Sequence, residues 1–185
     1  MKNCHRYLKW FIIKLLKVGL WVFNGTKVWP LNLNTTQFDH DLKQYDSVRN
    51  KFYYVGFTDS QAQIFVNDLN DPNSNYTLLI TVATQYCVGC LSYLGLVNGT
   101  DGVVAFVYSN ELGFTNGTIE GTYLLQYSGP QVSEVLGSLN GKVYFQESGT
   151  GYLGASDGTF EGSAIVLQKM VNSSFVYFDG KIGII

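Results

Sequence analysis

Residues 111–126 read Glu-Leu-Gly-Phe-Thr-Asn-Gly-Thr-Ile-Glu-Gly-Thr-Tyr-Leu-Leu-Gln, and residues 152–167 read Tyr-Leu-Gly-Ala-Ser-Asp-Gly-Thr-Phe-Glu-Gly-Ser-Ala-Ile-Val-Leu. At an offset of 41 residues the two stretches share a pattern. It runs Leu-Gly, two variable positions, Asn/Asp-Gly-Thr, one variable position, Glu-Gly-Thr/Ser, then an apolar run. Glycine after Asn or Asp is turn chemistry, and the flanking apolar runs have strand character. Each stretch therefore reads as a turn between the third and fourth strands of a repeating unit.

The first half of the unit repeats as well. Asp101-Gly102 leads into Val-Val-Ala-Phe, Asn140-Gly141 into Lys-Val-Tyr-Phe, and Asp179-Gly180 into Lys-Ile-Gly-Ile, with 39 residues between successive dipeptides. The longer offset of the second half falls on the connection Glu147-Ser148-Gly149-Thr150. Self-similarity at about forty residues with four short strands per unit is the signature of β-propeller blades.

The pattern resembles the Glu-Leu-Trp-x-x-Asp-Gly-Thr repeat family, whose units occur in arrays in large surface or secreted proteins. Glu111-Leu112, Asn116-Gly117-Thr118 and Gly121-Thr122 match it in one unit; Leu153, Asp157-Gly158-Thr159 and Gly162 match in the next. Gly113 and Gly154 stand where the family has tryptophan. The resemblance implies blade architecture and supplies no catalytic chemistry for these positions.

Working outward, residues 50–57, 62–67 and 76–83 read as the second, third and fourth strands of an earlier blade, and 20–33 as a hairpin turning at Asn24-Gly25. The polar stretch 34–46 reads as loop. The expected fold is all-β: an array of about three and a half four-stranded blades over residues 24–185. The blades are placed at about 46–87, 88–128 and 129–169, with a partial one at 170–185. Such an array is expected to be an open arc, with further blades or a second chain completing it.

Residues 1–23 form a separate segment. Lys2, Arg6, Lys9, Lys14 and Lys17 crowd its basic start, and Leu8, Phe11, Ile12, Leu15 and Val18 share one face of a helical wheel. Three readings stand side by side: a degenerate signal sequence, a packing helix, and a basic amphipathic helix on a membrane surface. The fold is accordingly expected to begin with a short N-terminal helix, the one place where membrane contact is foreseen.

Composition narrows the function classes. Hydrophobic residues make up 46% and charged residues only 14%, which argues for a packed core. The net charge of −2 gives no reason to expect nucleic acid. Asn-x-Ser/Thr occurs at Asn24, Asn34, Asn75, Asn98, Asn116 and Asn172, which points to a glycosylated, secreted surface. Asn-Gly-Thr is also ordinary turn chemistry at Asn24, Asn98 and Asn116. Cys87 and Cys90 form a Cys-x-x-Cys without the second ligand pair that zinc requires. A short-loop disulfide fits a secreted chain, and two buried thiols fit an intracellular one.

No catalytic, metal or cofactor site is expected. The oxygen-rich stretch 67–75 lacks the glycine and terminal glutamate of an EF-hand and reads as a long hairpin loop. Glu120 and Glu161 occupy equivalent repeat positions, a scaffold feature more than an acid–base pair. His40 sits between Asp39 and Asp41 with no serine in a nucleophile-elbow context. Tyr53, Tyr54, Phe106, Tyr144, Phe145, Tyr177 and Phe178 read as core between blades. The function expected is a non-enzymatic extracellular binding or adhesion module with a protein or carbohydrate ligand. A glycoside hydrolase-like propeller and a piece of a larger repeat protein without independent function are the alternatives.

Overall fold

The computed structural model describes residues 11–15, 19–23, 27–31, 37–57, 61–71, 73, 75–83, 90–125, 131–168, 175–178 and 181–184. Strands β1 (Phe11–Leu15), β2 (Gly19–Phe23) and β3 (Val28–Pro30) form a three-stranded antiparallel sheet. Strands β4 (Gln37–Asp46), β5 (Lys51–Phe57), β6 (Ala62–Asp68) and β7 (Thr77–Ala83) form the first four-stranded sheet. A second contains β8 (Leu91–Leu96), β9 (Val104–Tyr108), β10 (Glu111–Thr115) and β11 (Thr122–Leu124). A third contains β12 (Val132–Leu139), β13 (Lys142–Glu147), β14 (Leu153–Ser156) and β15 (Ala164–Leu167). The hairpin β16 (Phe175–Phe178) and β17 (Lys181–Ile184) follows. Each four-stranded sheet is an antiparallel meander in chain order, and among the described residues all five sheets are open, each pairing only within itself. The protein is an all-β, propeller-like repeat.

Two expectations are corrected. No helix occurs among the described residues; the stretch foreseen as an amphipathic helix contributes β1, paired with β2 from Phe11↔Phe23 to Leu15↔Gly19, while β2 pairs in turn with β3 in the hairpin foreseen over 20–33. Ile12, Ile13, Val22 and the aromatic residues around them favour the pleated state, and periodicity over so short a run does not separate helix from strand. The stretch 34–46, foreseen as loop, contains the ten-residue strand β4. Its register slips between Phe38 and Lys43, and such a bulge breaks the alternation by which a strand is recognised.

The sheets stack face to face. Tyr53, Val55, Ile64 and Val66 of one meet Leu91, Leu94, Val104 and Phe106 of the next. A second core joins Ala105, Val107, Leu112 and Phe114 to Val132, Val143 and Phe145. On the other side of the first four-stranded sheet, Leu31 and Trp29 pack with Phe52, Tyr54, Phe65 and Leu69. The first strands β4 and β8 lie together, as do β12 and β16, and the last strands β7 and β11 also meet. That is how blades are arranged around an axis. Tyr53, Tyr54, Phe106 and Phe145 are buried as inter-blade core and Tyr144 is half-buried, while the side chains of Tyr177 and Phe178 lie outside the described residues.

Candidate functional site

In an antiparallel meander the connections between strands one and two and between strands three and four emerge at the same end. That end carries residues 47–50, 69–71, 73, 75–76, 97–103, 116–121, 140–141 and 157–163.

The repeated motif is a hydrogen-bonded loop, built twice. In the second blade Asn116 Oδ1 accepts from the Thr118 amide at 3.0 Å and from the Thr118 hydroxyl at 2.8 Å. Thr118 Oγ1 in turn accepts from the Gly121 amide at 3.0 Å, and the Gly117 amide donates to Thr115 Oγ1 at 3.0 Å. In the third blade Asp157 Oδ1 accepts from Thr159 at 2.9 and 2.7 Å. Thr159 Oγ1 accepts from Gly162 at 2.9 Å, and the Gly158 amide donates to Ser156 Oγ at 3.1 Å. Threonine-to-serine changes keep the hydroxyl pairs Thr115···Thr122 and Ser156···Ser163. The glycine after Asn or Asp is required because its φ is +83° at Gly117 and +94° at Gly158. The bonds from Thr159 hold the Asp157 carboxyl below the usual aspartate range.

Glu120 and Glu161 are exposed at the tips of these two loops, next to the exposed Ile119 and Phe160. In the stretch 67–75, Asp68 Oδ1 accepts from the Asn70 amide and side chain and Asp71 Oδ1 from the Asn73 amide, while Asn70 also bonds Asn50 and the Arg49 carbonyl of the β4–β5 turn. Among the described residues no group of three or more His, Cys, Asp or Glu side chains gathers as a metal would require. Asn75, Asn98 and Asn116 are exposed at this end; Asn24, Asn34 and Asn172 lie outside the described residues, as does Cys87. Cys90 is partly buried just before β8. The side chains of Asp39, His40 and Asp41 are outside the described residues too.

The sequence reading missed Arg49. It sits in the β4–β5 turn and crosses to the next blade, where Nη1 donates to Gly102 O at 3.2 Å and Asn116 O at 3.3 Å. Nη2 donates to Asp101 O and lies 3.1 Å from the Asp101 carboxylate. The turn is held by Asp46, only 1% exposed, whose Oδ1 accepts from the Val48 and Arg49 amides. Lys51 adds a bond to Gly117 O at 3.4 Å. Beside them the fully buried Tyr53 phenol is pushed up to about 12, by burial first and the Asp46 charge second, with Arg49 opposing. The equivalent turn of the third blade makes an uncharged joint: Ser138 Oγ accepts from the Asn98 amide at 2.8 Å and donates to Leu96 O at 3.1 Å. Thr100 and Leu139 stand in the places equivalent to Arg49, so the repeat carried no signal for it. The one available clue was a lone arginine directly before Asn50, which aligns with Asp101 and Asn140.

No protein-family model and no curated protein matches the chain. Among solved structures it is similar to a chain of the "Crystal structure of Nidogen/Laminin Complex" at 14% identity and a TM-score of 0.51. The match covers 78% of this chain and 53% of that one, so this chain spans about half the length of its structural neighbour. At that identity the likeness is one of fold.

Proposed function

We propose that the chain is a non-enzymatic extracellular binding module that holds a protein partner on its turn-bearing end. The observation that carries this reading is how the polar groups there are used. Asp46, Arg49, Asn116 and Asp157 are engaged in shaping and joining the turns. Glu120 and Glu161, the acids left projecting, stand on separate loops of successive blades. A rigid scaffold presenting polar turn tips is suited to recognition rather than proton transfer. The structural neighbour, a chain in a crystal structure of a nidogen/laminin complex, supports the reading.

The same proposal places the chain in the secretory pathway, with glycans on the Asn-x-Ser/Thr sites and Cys87 paired with Cys90. Asn75, Asn98 and Asn116 are exposed, which supports the first, and Cys90 is disulfide-bonded, which supports the second. The test is to secrete the full chain from eukaryotic cells and screen it against arrayed extracellular proteins and glycans. A protein ligand lost on substitution at the turn-bearing end supports the module. Glycan hydrolysis abolished by Glu120→Gln or Glu161→Gln would put the glycoside hydrolase reading in its place.

A further inference from the structure

We propose that Asn98 is a site of spontaneous deamidation, and that its conversion to aspartate and isoaspartate loosens the joint between the second and third blades. Three Asn-Gly dipeptides lie among the described residues, at 98–99, 116–117 and 140–141, all on the turn-bearing end. In such a pair the glycine nitrogen, unhindered by a side chain, can attack the asparagine Cγ. The structure treats the three differently.

At 116–117 both reacting groups are tied. Asn116 Oδ1 accepts twice from Thr118, and the amide of the buried Gly117 donates to Thr115 Oγ1. At 140–141 the Gly141 amide donates to Asn98 O at 2.7 Å. At 98–99 both residues are exposed, and among the described residues neither the Asn98 carboxamide nor the Gly99 N–H has a hydrogen-bond partner. Attack requires the 98–99 peptide to turn towards the side chain, and its carbonyl is held by the bond from Gly141. Brief local opening of the joint therefore admits the reaction.

The chemistry needs water alone. The bond from Gly99 N to Asn98 Cγ forms, the Cγ–Nδ2 bond breaks, and Nδ2 leaves as ammonia with the Gly99 proton. Water then opens the cyclic imide at either carbonyl, returning a proton to the nitrogen and leaving a carboxylate. Nothing is oxidised or reduced. A glycan on Asn98 would occupy the same Nδ2, so the reaction belongs to chains bare at this position and stands apart from the glycan reading.

The position is sensitive. The Asn98 amide donates to Ser138 Oγ at 2.8 Å and its carbonyl accepts from Gly141, so both of its backbone groups join the next blade. The turns touch so closely that a Cβ at Gly99 would lie 2.9 Å from Gly141 N. Isoaspartate inserts a methylene between those two backbone groups, and either product brings a carboxylate into a joint built from neutral ones. Loss of the bond to Asn98 O also frees the Gly141 amide, which exposes Asn140 to the same reaction.

The full-length protein is made in the periplasm of a bacterium without N-glycosylation, where disulfides form. It is aged at neutral pH, folded and in urea. Chymotryptic cleavage after Leu96, Phe114 and Leu139 separates the three dipeptides, and the mass gained as amide becomes acid is read for each. In the folded protein position 98 is expected to gain mass several-fold faster than 116, with 140 following 98. In urea the three rates should converge. Asn98→Gln keeps both backbone groups, so it should remove the early gain and delay the one at 140. Melting temperature should fall with age in wild type and hold in Asn98→Gln. Equal folded-state rates at 98 and 116, or 140 leading 98, would overturn the site. Equal loss of melting temperature in wild type and Asn98→Gln would overturn the effect on the joint.

Discussion

The ring of Phe106 lies directly over Gly113, its cross-strand partner in the β9–β10 pair, so closely that a Cβ at position 113 would run into it. Phe145 covers Gly154 in the same way one blade later. These are the two glycines standing where the resembling repeat family has tryptophan. At both places the bulk is supplied from the neighbouring strand. In the first blade the equivalent pair is Val55↔Ile64, in which two medium side chains share the space. Gly113→Ala is therefore expected to destabilise by about 1–3 kcal/mol through overpacking, and Gly113→Trp by more. Adding Phe106→Val to Gly113→Ala should recover part of the loss. Urea unfolding of the single and double variants measures it, and additive effects would contradict the shared-space account.

Arg49 and Asp101 make a contrasting pair of variants. The Asp101 side chain is 90% exposed, so Asp101→Asn removes a solvent-screened charge and is expected to cost about 0–1 kcal/mol. Arg49→Ala leaves the carbonyls of Asp101, Gly102 and Asn116 without their donor and is expected to cost about 1–3 kcal/mol. Arg49→Lys should rescue only part, because an ammonium cannot span three carbonyls as the planar fork does. Equal losses for Arg49→Ala and Asp101→Asn in chemical denaturation would show that the surface ion pair, and not the carbonyl clamp, joins the blades.

Asp157 should make the third-blade loop acid-sensitive. Its folded pKa lies below the ordinary 3.8, chiefly through the Thr159 hydroxyl and amide. A depressed carboxyl contributes stability that is present above the unfolded pKa and is lost as pH falls through the folded value. Asn occupies the equivalent position at Asn116, so Asp157→Asn keeps the turn and removes only the charge. The stability difference between wild type and Asp157→Asn is expected to shrink as pH drops below about 3.8. A difference that stays constant from neutral pH into this range would rule the mechanism out.

Tyr53 predicts the behaviour at the alkaline end. Its phenol is raised from 10.0 to about 12, so the contribution is fully present below pH 10 and disappears as pH climbs through the folded value. In a spectrophotometric titration the Tyr53 phenolate should appear only above pH 11, or together with unfolding. Tyr53→Phe should flatten the loss of stability between pH 10 and 12. Ionisation of Tyr53 at its ordinary pKa without structural change would contradict the buried placement.

The sequence alone determined the blades. Strand-forming runs and the Asn/Asp-Gly turns are local properties, settled by which residues tolerate positive φ and which favour a pleated chain, and they recur at a period that one chain displays. The Asn/Asp-Gly-Thr-x-Glu-Gly-Thr/Ser motif was legible for the same reason: every bond that shapes the loop joins residues within seven positions. What needed tertiary structure was whatever depends on contact between strands or blades. The strand at 37–46 was hidden because its bulge interrupts the alternation, and pairing with β5 is what makes it a strand. The strand at 11–15 was hidden because an apolar run reads equally well in either period until a partner selects one. The meaning of Gly113 and Gly154 is set by phenylalanines on the adjacent strand. Arg49 reaches carbonyls more than fifty residues away, and the carbonyls it joins belong to the backbone, which no side-chain pattern records.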